Sequence, residues 1–214
     1  MKKFDTSIYF ITDSSYYEES EFLRRVSLAL QGGVTLLQLR EKELSTREYI
    51  TLAEKVLNIA RQNGIPLIID DRVDVALAVG AAGVHLGQAD MSVKTARRIL
   101  GEDFIIGATA KTVEQALTAY GEGADYLGVG AIFPTKTKVK TVLTSVETLT
   151  DICKAVPIPV NAIGGLNHSN LDVLKGVGVD GVCAVSSIMT ADDPAEAARG
   201  LKDAFSALNR GEKR

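Results

Sequence analysis

The chain has 214 residues, 46% of them hydrophobic and 24% charged, with a net charge of −3 and a pI near 5.5. That is enough apolar material for the core of one large domain or two small ones. The mild negative charge gives no electrostatic reason to expect nucleic acid or an anionic membrane surface as a partner, and no apolar run approaches the roughly 20 residues that span a bilayer.

Taken in chain order, short apolar runs alternate with helical patterns from end to end. The opening MKKFDTSIYFITD carries two lysines, but Asp5 and Asp13 bracket its apolar piece, which makes it a poor secretory signal and a good first strand, IYFIT. ESEFLRRVSLALQGG follows as a helix, then the strand VTLLQLR. In STREYITLAEKVLNIARQNG, Ile50, Ala53, Leu57 and Ala60 mark one helical face, Ser45 or Thr46 can cap its start and Gly64 can stop it. Further strands are PLIID, GVHLG, FIIGAT, YLGVGAI, IPVNAIGG and GVCAV. Between and after them lie the helical segments DVALAVGAA, SVKTARRILG, TVEQALTAYGEG, SVETLTDICKAV, SNLDVLKGVG and DPAEAARGLKDAFSALN.

Near-continuous apolar strands alternating with helices imply a parallel sheet covered on its outer face. Eight such units favour a closed (β/α)8 barrel occupying residues 1–214 as a single α/β domain. A doubly wound open sheet would want a glycine-rich dinucleotide turn after the first strand, and ITDSSYYEES has no glycine.

In such barrels the chemistry sits at the C-terminal ends of the strands, and the polar residues collect there. LLQLREK is the clearest case: residues two apart share a face of a strand, so Leu37 and Leu39 point one way and Gln38, Arg40 and Lys42 the other. Cations so placed meet an anion or open onto a cleft; a strand running out into a solvated loop would look similar. The other strand ends carry Asp70 and Asp71, Gln88 and Asp90, Thr109 and Lys111, FPTKTK, Gly164-Gly165 and Ser186-Ser187. The strand starts, in contrast, read GGV, GIP, AGV, GAD and GVD.

Asp71 and Asp90 lie past adjacent strands, where two carboxylates can share a hard cation such as Mg²⁺ with substrate phosphates. A plainer alternative pairs Asp71 with Arg72 and uses Asp90 to cap the helix near Ser92. PTKTK offers hydroxyls and ammonium groups that suit phosphate, though basic loops are often only solvated. Gly165, Ser186 and Ser187 fall where many barrels hold a phosphate through backbone N–H groups. Together these features suggest two anionic groups, one near strands 2 to 6 with a metal and one near strands 7 and 8. Cys153 and Cys183 have no metal-type spacing and read as packing thiols in a reduced cytoplasm. Two histidines far apart, His85 and His168, support neither a zinc site nor a triad; His85 is expected to pack inside or orient a neighbour.

The motifs QLREK, DDRVDVALAVGAAGVHLGQAD, YLGVGAIFPTKTK, NAIGGL and GVCAVSSI, kept in order across nearly the whole chain, closely resemble those of the thiamine phosphate synthase family. The resemblance implies a (β/α)8 barrel that joins hydroxymethylpyrimidine diphosphate to a thiazole phosphate, releasing pyrophosphate, with one Mg²⁺ per subunit. Carried over by motif, Gln38, Leu39, Arg40, Glu41 and Lys42, with Asp70, would hold the pyrimidine diphosphate. Arg40 and Lys138 would neutralise its pyrophosphate, with the Thr109 hydroxyl near the same group. Asp71 and Asp90 would hold Mg²⁺. Thr135, Lys136 and Thr137 would line the thiazole side, and Gly165, Ser186 and Ser187 would bind its phosphate. The partners so implied are small phosphorylated molecules in the cytoplasm, with homo-oligomerisation left open.

The chain departs from the family pattern in four places. Asp70 stands where asparagine is usual, Thr109 where serine is usual and is followed by AKT, Asn161 interrupts an apolar strand, and VKTVLTSVETL lacks the expected proline- and glycine-containing linker. Competing readings are a thiazole tautomerase, which would want a histidine where Lys111 stands, and a non-catalytic paralogue.

Overall fold

The structure is a computed structural model and describes residues 4–15, 17–134 and 142–210. Eight parallel strands, β1 (Ile8–Ile11), β2 (Leu36–Leu39), β3 (Leu67–Asp70), β4 (Gly83–Leu86), β5 (Ile105–Ala110), β6 (Tyr126–Gly130), β7 (Val160–Ile163) and β8 (Gly181–Ala184), pair in sequence order. β8 returns to β1, so the sheet closes into a barrel. The helices are α1 (Glu19–Gln31), α2 (Thr46–Gln62), α3 (Val73–Val79), α4 (Val93–Leu100), α5 (Val113–Gly121), α6 (Val146–Ala155), α7 (Ser186–Met189) and α8 (Pro194–Arg210). This is the (β/α)8 architecture expected from the alternating pattern. Among the described residues no helix is long and apolar enough to cross a membrane.

Strand alternation separates two cores. Ile8, Phe10, Leu37, Leu39, Ile69 and Val84 face outward into the layer shared with the helices. Tyr9, Ile11, Leu36, Ile68, Ile105, Tyr126 and Cys183 form a second cluster inside the barrel. The inward positions of β4, β5 and β6 include Gly83, Gly107 and Gly128, and the missing side chains make room for large ones. A Cβ on Gly107 would collide with the Tyr126 ring, and one on Gly128 would lie 3.2 Å from His85 Cε1.

α2 starts as its sequence requires. The Ser45 hydroxyl accepts from Glu48 N at 3.4 Å while Glu48 Oε2 accepts from Ser45 N at 2.9 Å, a reciprocal capping box. Its buried face is Tyr49, Leu52, Ala53, Val56, Leu57 and Ala60, and Gly64 takes the left-handed φ of 67° just beyond the helix.

The β7–β8 connection differs from expectation. SNLDVLKGVG forms one 3₁₀ turn, Leu171–Leu174, instead of a helix. Gly176 and Gly178 at φ 77° and 84° take the chain out of the helical region. Ser186 and Ser187, just past β8 as expected, open the short helix α7.

Candidate active site

The C-terminal ends of β2, β3 and β4 bring together the charged residues that the strand pattern singled out. Gln38, inward on β2 and only 2% exposed, lies below them. Arg40 sits just past the strand, its backbone N–H held by the buried Thr12 hydroxyl at 3.2 Å. Its Nε is 3.9 Å from Asp70 Oδ2. Lys42 Nζ lies 2.7 Å from the same Asp70 oxygen and also pairs with Asp71 Oδ2. Leu39 turns the other way: its side chain packs in the outer core and its carbonyl accepts from the Tyr49 hydroxyl at 2.7 Å. Glu41 receives the Ser14 hydroxyl at 2.7 Å on one oxygen, and its other oxygen is buried without a hydrogen-bond partner. Burial pushes the Glu41 carboxyl above its ordinary value.

Asp71 is the one non-glycine residue with positive φ, 61°, among the described residues. A left-handed non-glycine backbone costs roughly 1–2 kcal/mol and clusters at functional sites. Here it is braced by Asp71 N donating to His85 O at 2.8 Å and Arg72 N to Asp70 O at 2.7 Å. The plainer roles considered for the two aspartates are not the ones observed. Arg72 pairs with Asp74 at 2.6 Å, and the cap of α4 is the Ser92 hydroxyl, accepting from Thr95 N at 3.3 Å. The Asp71 and Asp90 carboxyl groups instead lie close enough to influence one another, and Asp90 Oδ2 accepts from Gly87 N at 2.7 Å.

The electrostatics of this cluster follow from burial first. Burial, then the neighbouring Asp71 charge, raises Asp70 above its ordinary value against the pull of Lys42 and Arg40. Burial also works to raise Asp71, but hydrogen bonds with Lys42 and Asp90 outweigh it and hold Asp71 low. Asp90 is raised by burial and by its hydrogen bond with Asp71. Asp71 and Asp90, with Asp70 beside them, offer the hard carboxylate oxygens that a divalent cation takes as ligands. Among the described residues no group of three or more protein ligands forms a closed metal cage. Of the hard cations, Mg²⁺ is one that keeps several waters and is held by as few as one or two carboxylates together with substrate phosphates.

Thr109, inward on β5 and half-buried, joins the same mouth from the other side. Its Oγ1 is 3.0 Å from His85 Nε2, and its carbonyl accepts from Gln88 Nε2 at 2.6 Å. His85 Nδ1 is 3.1 Å from the Tyr126 hydroxyl, Tyr126 is 2.6 Å from the Tyr9 hydroxyl, and Gln38 Nε2 donates to Tyr9 at 2.6 Å. His85 thus orients a neighbour, as its isolation in the sequence suggested. Tyr9 and Tyr126 were not singled out by the sequence; the available signal was a tyrosine at an inward strand position beside inward glycines.

Across the mouth, the β7 loop turns on Gly164 and Gly165, at φ 107° and 67°. Ser187 Oγ donates to Leu166 O at 3.0 Å, which ties α7 to that loop and brings Gly165, Ser186 and Ser187 to one corner. Thr135, Lys136, Thr137 and Lys138 lie outside the described residues; the described part of their loop runs through Phe133 and Pro134, against which Gly165 packs.

Comparison with known proteins agrees with this geometry. The family described as thiamine monophosphate synthase matches residues 8–188. A thiamine-phosphate synthase of Enterococcus faecalis is 50% identical over 91% of this chain and 92% of its own length. One of Clostridium tetani is 45% identical over 95% and 98%. Among solved structures, the thiamine phosphate pyrophosphorylase of Pyrococcus furiosus superposes with a TM-score of 0.86 at 39% identity, covering 94% of this chain and 96% of that one. A 3-hexulose-6-phosphate synthase, at 16% identity and a TM-score of 0.70, shares the barrel fold alone. The chain belongs to the thiamine monophosphate synthase family.

Proposed function

We infer that the chain carries out the reaction for which its family is named, joining hydroxymethylpyrimidine diphosphate to a thiazole phosphate to give thiamine phosphate and pyrophosphate. The observation that carries this reading is the convergence of Arg40, Lys42, Asp70, Asp71 and Asp90 at the ends of three adjacent strands. Such a set combines cations for a diphosphate with oxygen ligands for a metal.

The chemistry needs no protein nucleophile. The carbon that pyrophosphate leaves is attached to an electron-rich aminopyrimidine, which supports cationic character until the thiazole nitrogen captures it. The work left to the chain is stabilising charge on the leaving group and aligning the acceptor. Arg40, with Lys138, supplies positive charge to the departing oxygens, and the Thr109 hydroxyl donates to them. Asp71 and Asp90 would hold Mg²⁺, which when bound neutralises the diphosphate. Gln38 orients the pyrimidine from below. Thr135, Lys136 and Thr137, with Gly165 and the start of α7 at Ser186 and Ser187, hold the thiazole phosphate in line. The paired aspartates also favour the synthase over a tautomerase, which has no diphosphate to bind, and the free thiols Cys153 and Cys183 suit a cytoplasmic setting.

Purified protein supplied with Mg²⁺ and both phosphorylated precursors is expected to release thiamine phosphate and pyrophosphate in equal amounts. Excess chelator is expected to stop the reaction. Absence of product overturns the reading, and undiminished turnover in chelator removes the metal role of Asp71 and Asp90.

A further inference from the structure

The chain of polar groups inside the barrel runs Gln38, Tyr9, Tyr126, His85, Thr109, with links of 2.6, 2.6, 3.1 and 3.0 Å. It crosses the apolar interior from β2 to β5. Gln38, Tyr9 and Tyr126 are 2%, 1% and 0% exposed, so solvent does not supply alternative partners to the two phenols. The glycines at 107 and 128 leave the space in which the Tyr126 and His85 rings lie. A buried polar group must be satisfied within its own network, and that requirement orders the hydrogens.

Gln38 donates to Tyr9 through Nε2, so the Tyr9 hydroxyl hydrogen turns to Tyr126. The Tyr126 hydrogen then turns to His85 Nδ1, which must accept it. The imidazole proton is left on Nε2, facing the Thr109 oxygen. Burial, before any neighbouring charge, raises both phenols well above their usual range, so each keeps its one hydrogen. Thr109, with one lone pair taken by His85, has its own hydrogen free to point out of the network.

We propose that Tyr9, Tyr126 and His85 are positioning residues that form a one-way hydrogen-bond chain, started by the Gln38 amide, which holds the Thr109 hydroxyl with its hydrogen directed into the mouth as a donor to an anionic oxygen. Were the chain reversed, Thr109 would donate to His85 and could only accept from the mouth, which would repel an anion. The proposal deepens the synthase reading and rests on it for the identity of the anion; the direction of the chain does not depend on that reading.

The chain has only two histidines, so ¹⁵N labelling of imidazoles gives two ring systems, and His85→Gln identifies which belongs to His85. In the unsubstituted protein at neutral pH the His85 proton is expected on Nε2, with Nδ1 unprotonated. In Tyr126→Phe, which removes the donor to Nδ1, the two tautomers are expected to mix. A proton on Nδ1, or on both nitrogens, in the unsubstituted protein overturns the proposal without any activity measurement. Kinetically, His85→Leu is expected to lower kcat about fivefold to tenfold, the effect of one neutral hydrogen bond, with KM for the thiazole phosphate unchanged. His85→Gln, whose amide N–H can replace the Nε2 donor, is expected to recover most of that loss. In a Thr109→Ala background His85→Leu is expected to cost nothing further. Additive losses in that background, or equal losses for the Gln and Leu variants, would assign the chain to core packing and reject it as a positioning device. A protein with the Nε2 tautomer that makes no thiamine phosphate would fail the synthase reading while leaving the chain's direction standing.

Discussion

The Lys42 ammonium lies 2.7 Å from an oxygen of Asp70, whose side chain is only 9% exposed, and the same ammonium pairs with Asp71. One cation therefore bridges two successive carboxylates. The family resemblance leads one to expect asparagine at position 70, and the bridge gives the aspartate there a physical consequence: its negative charge divides Lys42 between two partners.

Replacing Asp70 by asparagine leaves Lys42 with Asp71 as its one carboxylate partner in the bridge, and Asp71 becomes less available to a metal. Asp70→Asn is expected to remain active but to need more Mg²⁺ for half-maximal rate. Asp71→Asn, which removes a carboxylate proposed to hold the metal, is expected to lose on the order of 10²–10³ in kcat, the scale of losing a preorganised electrostatic group. Initial rates across a Mg²⁺ series check both, and an Asp70→Asn protein with an unchanged Mg²⁺ requirement would contradict the account.

Arg40 faces the mouth with its guanidinium 3.9 Å from Asp70, close enough to be oriented without a tight ion pair. Its benefit should grow as charge develops on the departing pyrophosphate, so Arg40→Ala is expected to cut kcat by about 10²–10³, or roughly 2.7–4 kcal/mol. Lys138→Ala is expected to behave alike. Steady-state kinetics with each substrate varied in turn checks this. A change confined to KM for the thiazole phosphate would place Arg40 on the wrong substrate.

How much of this was legible in the sequence depended on periodicity. Each of the eight strands was readable because apolar runs alternate with helical patterns, and the period of two put Gln38 on the face opposite Leu37 and Leu39, which the structure shows to be the inner one. The β7–β8 helix was misread because Leu171 and Leu174 have helical spacing, whereas the left-handed turns at Gly176 and Gly178 decide the outcome. Tyr9 and Tyr126 were invisible for another reason. A tyrosine in an apolar strand reads as core, and their hydroxyl contact joins positions 117 residues apart, which no local pattern encodes. The inner partner of Asn161 was equally hidden: its amide donates to Thr6 O at 2.6 Å, across the β7–β8–β1 side of the barrel.

The α2 cap gives a stability test that leaves the mouth untouched. Ser45 contributes both halves of the capping box, its hydroxyl accepting from Glu48 N and its own N–H donating to Glu48. Ser45→Ala removes the hydroxyl and is expected to cost about 1 kcal/mol, read as a lower urea midpoint at unchanged slope. Activity at a temperature where both proteins are folded is expected to be unaffected. A midpoint equal to that of the parent would mean that water replaces the cap.

Gly165 tests the division of the mouth into two anion sites. Its backbone lies at φ 67°, and a Cβ there would sit 2.7 Å from Phe133 Cβ and 3.1 Å from Pro134 O. A valine must therefore adopt a backbone conformation costing roughly 1–2 kcal/mol or push the β7 loop away from the β6 loop. Either response moves the backbone that, with Ser187 bonded to Leu166, forms the corner proposed for the thiazole phosphate. Among the described residues, Arg40 and Lys42 pair with Asp70 and Asp71 and not with that loop, so the pyrimidine diphosphate site should hold its shape. Gly165→Val is accordingly expected to weaken thiazole phosphate binding by roughly tenfold, the equivalent of about 1.4 kcal/mol, while diphosphate binding with Mg²⁺ changes little. Calorimetric titration of each substrate alone measures the two effects separately. Equal weakening of both would mean that the two anions do not occupy independent corners, and the assignment of Gly165, Ser186 and Ser187 to the thiazole phosphate would fall.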